Sequence, residues 1–139
     1  MSRNFVWRIV GDVHVNAMTK DNPTFAEWEE MVTEFQQRGS EIHALLIYTE
    51  GGAPNALQRK KLRDTQTTMP QAAVLTNSIV ARMAMTAINL FFDNKFKAFA
   101  SEGIDEALRY LASPPTNWPE IKRALAELRE QVKREGPAS

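Results

Sequence analysis

Ile42-His43-Ala44-Leu45-Leu46-Ile47-Tyr48 is an almost unbroken apolar run that ends at Thr49-Glu50-Gly51-Gly52-Ala53-Pro54, a stretch of turn residues. A strand with one wet face alternates apolar and polar side chains. A run without that alternation is the pattern of a strand covered on both faces, in the middle of a sheet. This stretch therefore predicts a central strand and a sheet with layers packed against it.

Working outward toward the N-terminus, Thr24 followed three residues later by Glu27 is a capping box, preceded by the turn Lys20-Asp21-Asn22-Pro23. Phe25, Trp28, Met31, Val32 and Phe35 then recur at helical spacing, and Gly39 is a stop. Glu27, Glu29, Glu30 and Glu34 are expected on the solvent side, giving an acidic helix. Before it, Phe5 to Val10 reads as a strand, and Asp12 to Ala17 alternates as a half-buried one. Asp12, His14 and Asn16 share one face there, and Val13, Val15 and Ala17 the other. Gly11 between the two marks a tight hairpin.

Toward the C-terminus, Pro54 suits the first turn of a helix expected from about Ala53 to Met69, whose Arg59, Lys60, Lys61 and Arg63 make a basic side. Gln71 to Thr76 is a short buried strand, and Ser78 caps a helix from Ile79 to Phe92. That helix is apolar around much of its circumference and is expected in the core or in a partner contact. Lys95 to Ala100 is a last strand, and Ser101 is expected to cap a short helix carrying Ile104, Ala107, Leu108 and Leu111. After the stiff break Ser113-Pro114-Pro115-Thr116, a final helix places Trp118, Ile121, Leu125, Leu128 and Val132 on one stripe. The order is β-β-α-β-α-β-α-β-α plus an appended helix, divided as a domain over 1–112 and a C-terminal segment over 113–139. Because βαβ crossovers are right-handed, it predicts an α/β sandwich with a mixed, mostly parallel sheet.

Composition closes several chemistries. The 139 residues contain no cysteine, which removes disulfides, thiol nucleophiles and cysteine-ligated metal sites. Lys+Arg and Asp+Glu are equal at 17 each, so there is no global attraction to nucleic acid or anionic lipid. The apolar run Ile79 to Phe92 is too short to span a bilayer, and Met1-Ser2-Arg3-Asn4 has no signal-peptide core. A cytoplasmic protein is expected, with no membrane span, nucleic-acid partner, metal or cofactor.

The element order, the strand Ala44-Leu45-Leu46-Ile47-Tyr48, the passage Ala73-Val74-Leu75-Thr76-Asn77-Ser78 and the closing run from Phe96 to Leu111 resemble the STAS domain superfamily. The likeness is to its SpoIIAA-like, anti-sigma-factor-antagonist-like branch, related in shape to lipid-binding domains. It covers roughly residues 5 to 112, and Glu106-Ala107-Leu108-Arg109-Tyr110-Leu111 carries it most closely. The resemblance implies a non-enzymatic regulatory or interaction domain. Antagonist-like members carry a phosphorylatable serine at the start of the helix after the central strand. Here that position reads Thr49-Glu50-Gly51-Gly52-Ala53-Pro54-Asn55, and Thr49 supplies the only hydroxyl.

Two loops are candidate sites. Thr49, Gly51, Gly52 and Asn55 on one, and Thr76, Asn77 and Ser78 on the other, fall at carboxyl ends of neighbouring strands and before helix N-termini, where open α/β sheets bind anions or small ligands. The plainer reading is a tight turn and a cap. Asp12, His14 and Asn16, with His43, invite a metal or acid–base reading, against which stand the lack of any HExxH spacing and the alternative of structural polar residues. No serine-hydrolase elbow is present. Arg59, Lys60, Lys61 and Arg63, with Met83 and Met85 on the apolar helix, form the expected interaction surface. The basic and acidic helices either neutralise each other or join copies of the chain. The leading expectation is a homodimeric domain acting by binding a protein partner. The alternative is a small-ligand or lipid-binding module using the crevice at the strand ends.

Overall fold

Four of the five strands run parallel and advance across the sheet in chain order, and this single regularity decides where every helix goes. In the computed structural model, which describes residues 3–65, 69–90 and 92–136, the sheet order is β1 (Phe5–Val10), β2 (Val13–Met18), β3 (Ala44–Thr49), β4 (Gln71–Leu75) and β5 (Phe96–Phe99). β1 and β2 are antiparallel around Gly11, which adopts φ 60°. β2, β3, β4 and β5 are all parallel. Right-handed crossovers that step in one direction put their helices on one face. So α1 (Phe25–Arg38), α2 (Ala56–Thr65) and α3 (Ile79–Asn89) share a face. The element order and the mixed, mostly parallel sheet are those of the STAS-like α/β sandwich expected from the sequence.

The opposite face is covered by α4 (Ile104–Tyr110) and α5 (Trp118–Glu135). α5 lies on β1 and β2, and its Ile121, Ala124, Leu125, Leu128 and Val132 bury against Val6, Val10, Val13 and Val15. The 3, 4 spacing of the stripe is thus used for packing within the chain. An ion pair between Arg8 and Glu127 at 3.2 Å fastens the outer edge.

Several local expectations change for reasons of tertiary context. β2 is buried along its whole length, on both faces, because it is an interior strand lying between α5 and α1. Glu27 is buried, not solvent-facing. Its carboxylate accepts from the backbone N–H of Thr24 at 2.9 Å, closing the capping box, and from those of Asn4 at 3.0 Å and Phe5 at 3.3 Å. One acidic side chain thus joins the start of β1 to the start of α1. α2 begins at Ala56, later than expected, because Asn55 and Gln58 cap it reciprocally, each side chain accepting the other's backbone N–H at 2.9 Å. α3 stops at Asn89, whose amide bonds both backbone groups of Phe96, and Asp93 and Asn94 then turn the chain with positive φ. Ser101 does not cap α4. Its hydroxyl donates to Glu102, and Gly103 occupies the cap position without a side-chain bond.

A chain ended at residue 112 lacks α5 and exposes the valines of β1 and β2. Four large side chains at about 1.5–3 kcal/mol each amount to much of the ~5–15 kcal/mol that holds a domain together. The truncated protein is expected to lose its cooperative urea transition. A two-state transition near that of the full chain would refute the role assigned to α5.

Candidate functional site

Between the sheet and the layer formed by α1, α2 and α3 lies a cavity of about 80 Å³. Its floor is the sheet: His14, Asn16 and Met18 of β2 point into it beside Leu45 and Ile47 of β3. Alternate strand residues share a face, and over four residues at roughly 3.3 Å each the β2 floor extends about 13 Å. α1 contributes Trp28, Met31 and Phe35 to the walls, and α3 contributes Ala84, Met85 and Ile88. Toward the carboxyl ends of the strands, Thr49, Gly52, Pro54 and Arg59 close the cavity. The lining is almost wholly hydrocarbon, and four methionines, Met18, Met31, Met69 and Met85, give it adaptable walls.

Three residues of this lining also carry buried polar atoms without a partner. Among the described residues, His14 Nε2, Asn16 Oδ1 and Arg59 Nε are the buried side-chain nitrogen and oxygen atoms without a hydrogen-bond partner, and all three residues line this cavity. His14 is 1% exposed and Asn16 4%. Asn16 Nδ2 and His14 Nδ1 lie 3.3 Å apart in a hydrogen bond, and with the amide as donor the neutral ring carries its proton on Nε2. The pair then presents the His14 Nε2–H and the second amide N–H as donors and Asn16 Oδ1 as the free acceptor. Turning the amide over exchanges these roles and leaves the same sum. The Phe35 ring lies 5.2 Å from the His14 ring, tilted 45° to it, and packs against it. Arg59 Nη1 donates to the Pro54 carbonyl at 2.8 Å, which anchors the guanidinium at the loop end of the cavity.

Other polar groups around the cavity are satisfied. Trp28 Nε1 donates to the Gln58 carbonyl and Gln58 Nε2 to the Pro23 carbonyl, both at 2.8 Å, so α1, α2 and the turn before α1 are tied together. A buried group with no partner costs about 1–3 kcal/mol. The three residues that carry them line one apolar space and leave it with unspent hydrogen-bonding capacity.

The residues singled out in the two strand-end loops are brought together, but their side chains serve the turns. Thr49 is buried, and its hydroxyl, the one considered for phosphorylation, donates to the Gly52 carbonyl at 2.6 Å and accepts from Gly51 N–H. Thr76 Oγ1 donates to the Thr49 carbonyl at 2.8 Å, linking the loops, while Ser78 caps α3 through Ala81 N–H. Gly52 is needed for close approach: a Cβ there would lie 2.0 Å from the Asp21 carbonyl oxygen. Asn55 caps α2, and Asn77 bonds Glu102 and the Ser101 backbone.

The expected basic surface is mostly paired. Lys60 bonds Asp64 at 2.6 Å, Lys61 of α2 pairs with Glu29 of α1, and Arg63 lies 3.9 Å from Asp64. The acidic and basic helices therefore meet each other within the chain. Met85 is buried in the cavity, a correction to its expected place on an interaction surface, and Met83 alone of the two faces outward. Asp12 bonds His43 at 3.1 Å, both side chains exposed just before β2 and β3, in a contact separate from His14. No group of three or more metal-ligating side chains occurs among the described residues, and no helix there is long and apolar enough to cross a membrane.

A second groove, of about 220 Å³, lies beside α4 and α5 and is lined by Ser101, Glu102, Lys122 and Arg129. Its charges are used internally. Ser101 and Asn77 donate to Glu102 and hold its carboxyl below the usual value, Lys122 bonds Asp105 at 2.6 Å, and Arg129 lies 4.1 Å over the Tyr48 ring. The smaller cavity is the stronger candidate because its polar atoms are unspent. No family model matches the chain, and no curated protein or solved structure shows significant similarity to it.

Burial holds the His14 imidazole at about 4, below its ordinary 6.5, against a smaller upward effect of its own backbone. At pH 7 both folded and unfolded chains carry it neutral. As pH falls below 6.5 the unfolded chain takes a proton that the folded one refuses until about 4, so stability drains away across that window. At 1.36 kcal/mol per unit the loss is about 3 kcal/mol. Urea midpoints compared between the native protein and His14→Gln are expected to diverge from pH 6.5 down to 4, with the native protein falling faster. Parallel curves would contradict the buried neutral assignment.

Proposed function

We propose that this protein is a non-catalytic binding module that holds a small, largely apolar molecule between its sheet and α1–α3. One observation carries the reading: the unpartnered atoms of His14, Asn16 and Arg59 all fall in one methionine-rich cavity. The resemblance to STAS domains of the SpoIIAA-like branch supports a binding role over catalysis, with ligand occupancy as the regulated quantity. The test uses protein labelled with ¹³C at the methionine methyls and titrated with 1-butanol and pentane. Met18, Met31, Met69 and Met85 are expected to shift saturably, and the exposed Met83 to stay still. Ala84→Leu, which fills the cavity from α3, is expected to weaken binding by tenfold or more without loss of fold. Absence of saturable shifts at the four cavity methyls would end this reading.

A second reading has its own observation. α3 presents Ile79, Val80, Met83 and Leu90 outward, each 68% to 81% exposed, and Ile79, Met83 and Leu90 lie on one helical face. Singly exposed apolar residues are ordinary, but several on one helical face, here interrupted by Thr86 alone, favour a docking surface. This supports the chain acting as a protein-interaction domain through α3, in a homodimer. Solution mass measured across micromolar concentrations is expected to show a dimer that Met83→Glu converts to monomer. A native protein that stays monomeric would remove the dimer.

A further inference from the structure

We infer that the His14–Asn16 pair selects the ligand's polar head, and that this head is an uncharged group able both to accept and to donate a hydrogen bond: a carboxamide, an undissociated acid or a hydroxyl. The inference rests on the binding-module reading above and adds the ligand class to it. The pair offers both a donor and an acceptor, on His14 Nε2 and on the amide atom of Asn16 that faces away from the ring, whichever way the amide is turned. A head that only accepts leaves the pair's acceptor bare, and a carboxylate sets a negative charge against the pair's free lone pair, on Asn16 or on His14. A head that does both satisfies both atoms.

The surroundings sharpen the choice. On the sheet, His14 and Asn16 are flanked by Leu45 and Ile47, and Phe35 and Met31 cover them from α1, so no ionised side chain faces the pair within the lining. The charged group of the cavity, Arg59, belongs to the loop end, where its Nη1 is held by Pro54. An ionised head entering the His14–Asn16 end would lose its water without gaining a counter-charge. The volume also limits the body. An apolar cavity that takes benzene, with its six heavy atoms, measures about 150 Å³, so about half of that encloses roughly three heavy atoms, the polar head and the first carbons of a short chain.

The experiment compares butanamide, 1-butanol, pentane and butanoate on the native protein and on the double variant His14→Leu/Asn16→Leu. Replacing both partners leaves neither one unpaired, so the variant is expected to keep its fold. In the native protein butanamide and butanol are expected to bind better relative to pentane than they do in the variant, by about tenfold or more, with butanoate weakest. Should the variant fail to fold, ¹⁵N spectra of the native imidazole serve instead: butanamide is expected to shift the His14 ring nitrogens and pentane is not.

Equal amide-to-pentane ratios in the two proteins, or unmoved ring nitrogens, would overturn the inference while leaving the binding module standing. Butanoate binding more tightly than butanamide, and lost in Arg59→Met, would overturn it by moving the head to the loop end. A water found bridging the pair at saturating butanamide would overturn it as well. If pentane and butanol also fail to bind, the binding-module reading itself falls, and this inference with it.

Discussion

A sheet whose parallel strands all step in one direction, joined by right-handed crossovers, can cover only one of its faces with the helices between those strands. Everything else in this molecule follows from that constraint. α1, α2 and α3 are committed to one side, and the other side would meet water along Val6, Val13, Val15, Leu46 and Leu75 without further chain. α4 and α5 supply it. The helix that closes the core over the first hairpin therefore comes from the far end of the sequence, and its packing is among the most non-local in the fold.

The same arrangement makes the cavity. Three helices of 14, 10 and 11 residues are laid side by side over a twisted sheet, and β2, the strand beneath α1, brings polar side chains to the covered face. Leu62, Met69 and Met85 approach from different elements and line the space without excluding it. A pure packing defect would be dry and apolar throughout. Here two of the three polar residues sit on β2, with the His14 ring tilted against Phe35 and Asn16 bonded to it.

Charge plays a quieter part. The acidic stripe of α1 and the basic stripe of α2 are neighbours on one layer, and Lys61 meets Glu29 across the helix pair. Glu27 left that stripe altogether to bond the backbone at the start of β1. Part of the balanced charge is thus spent in local pairings, while α3 turns apolar side chains outward on the same layer.

The strands, the helices and most caps are legible in the sequence, because period, turn residues and capping side chains act within a few residues. Thr24 with Glu27, and Ser78 with Ala81, are formed as read. The alternation Asp12, His14, Asn16 was also legible, but not its burial. Whether a strand face meets water depends on strand order, and strand order is a property of the whole chain. Arg59 reads locally as one cation among four, although its place three residues before the buried Leu62 and next to Gln58 marks the inner flank of α2. Met83 and Met85 are equivalent by composition and opposite in position, since two residues along a helix turn the side chain through about 200°. The sequence by itself determined which segments are strands and helices and what their ends look like. Tertiary structure alone decided which faces are covered, and so which polar atoms stand unpaired around the cavity, because crossover handedness and the docking of α5 act between residues far apart in the chain.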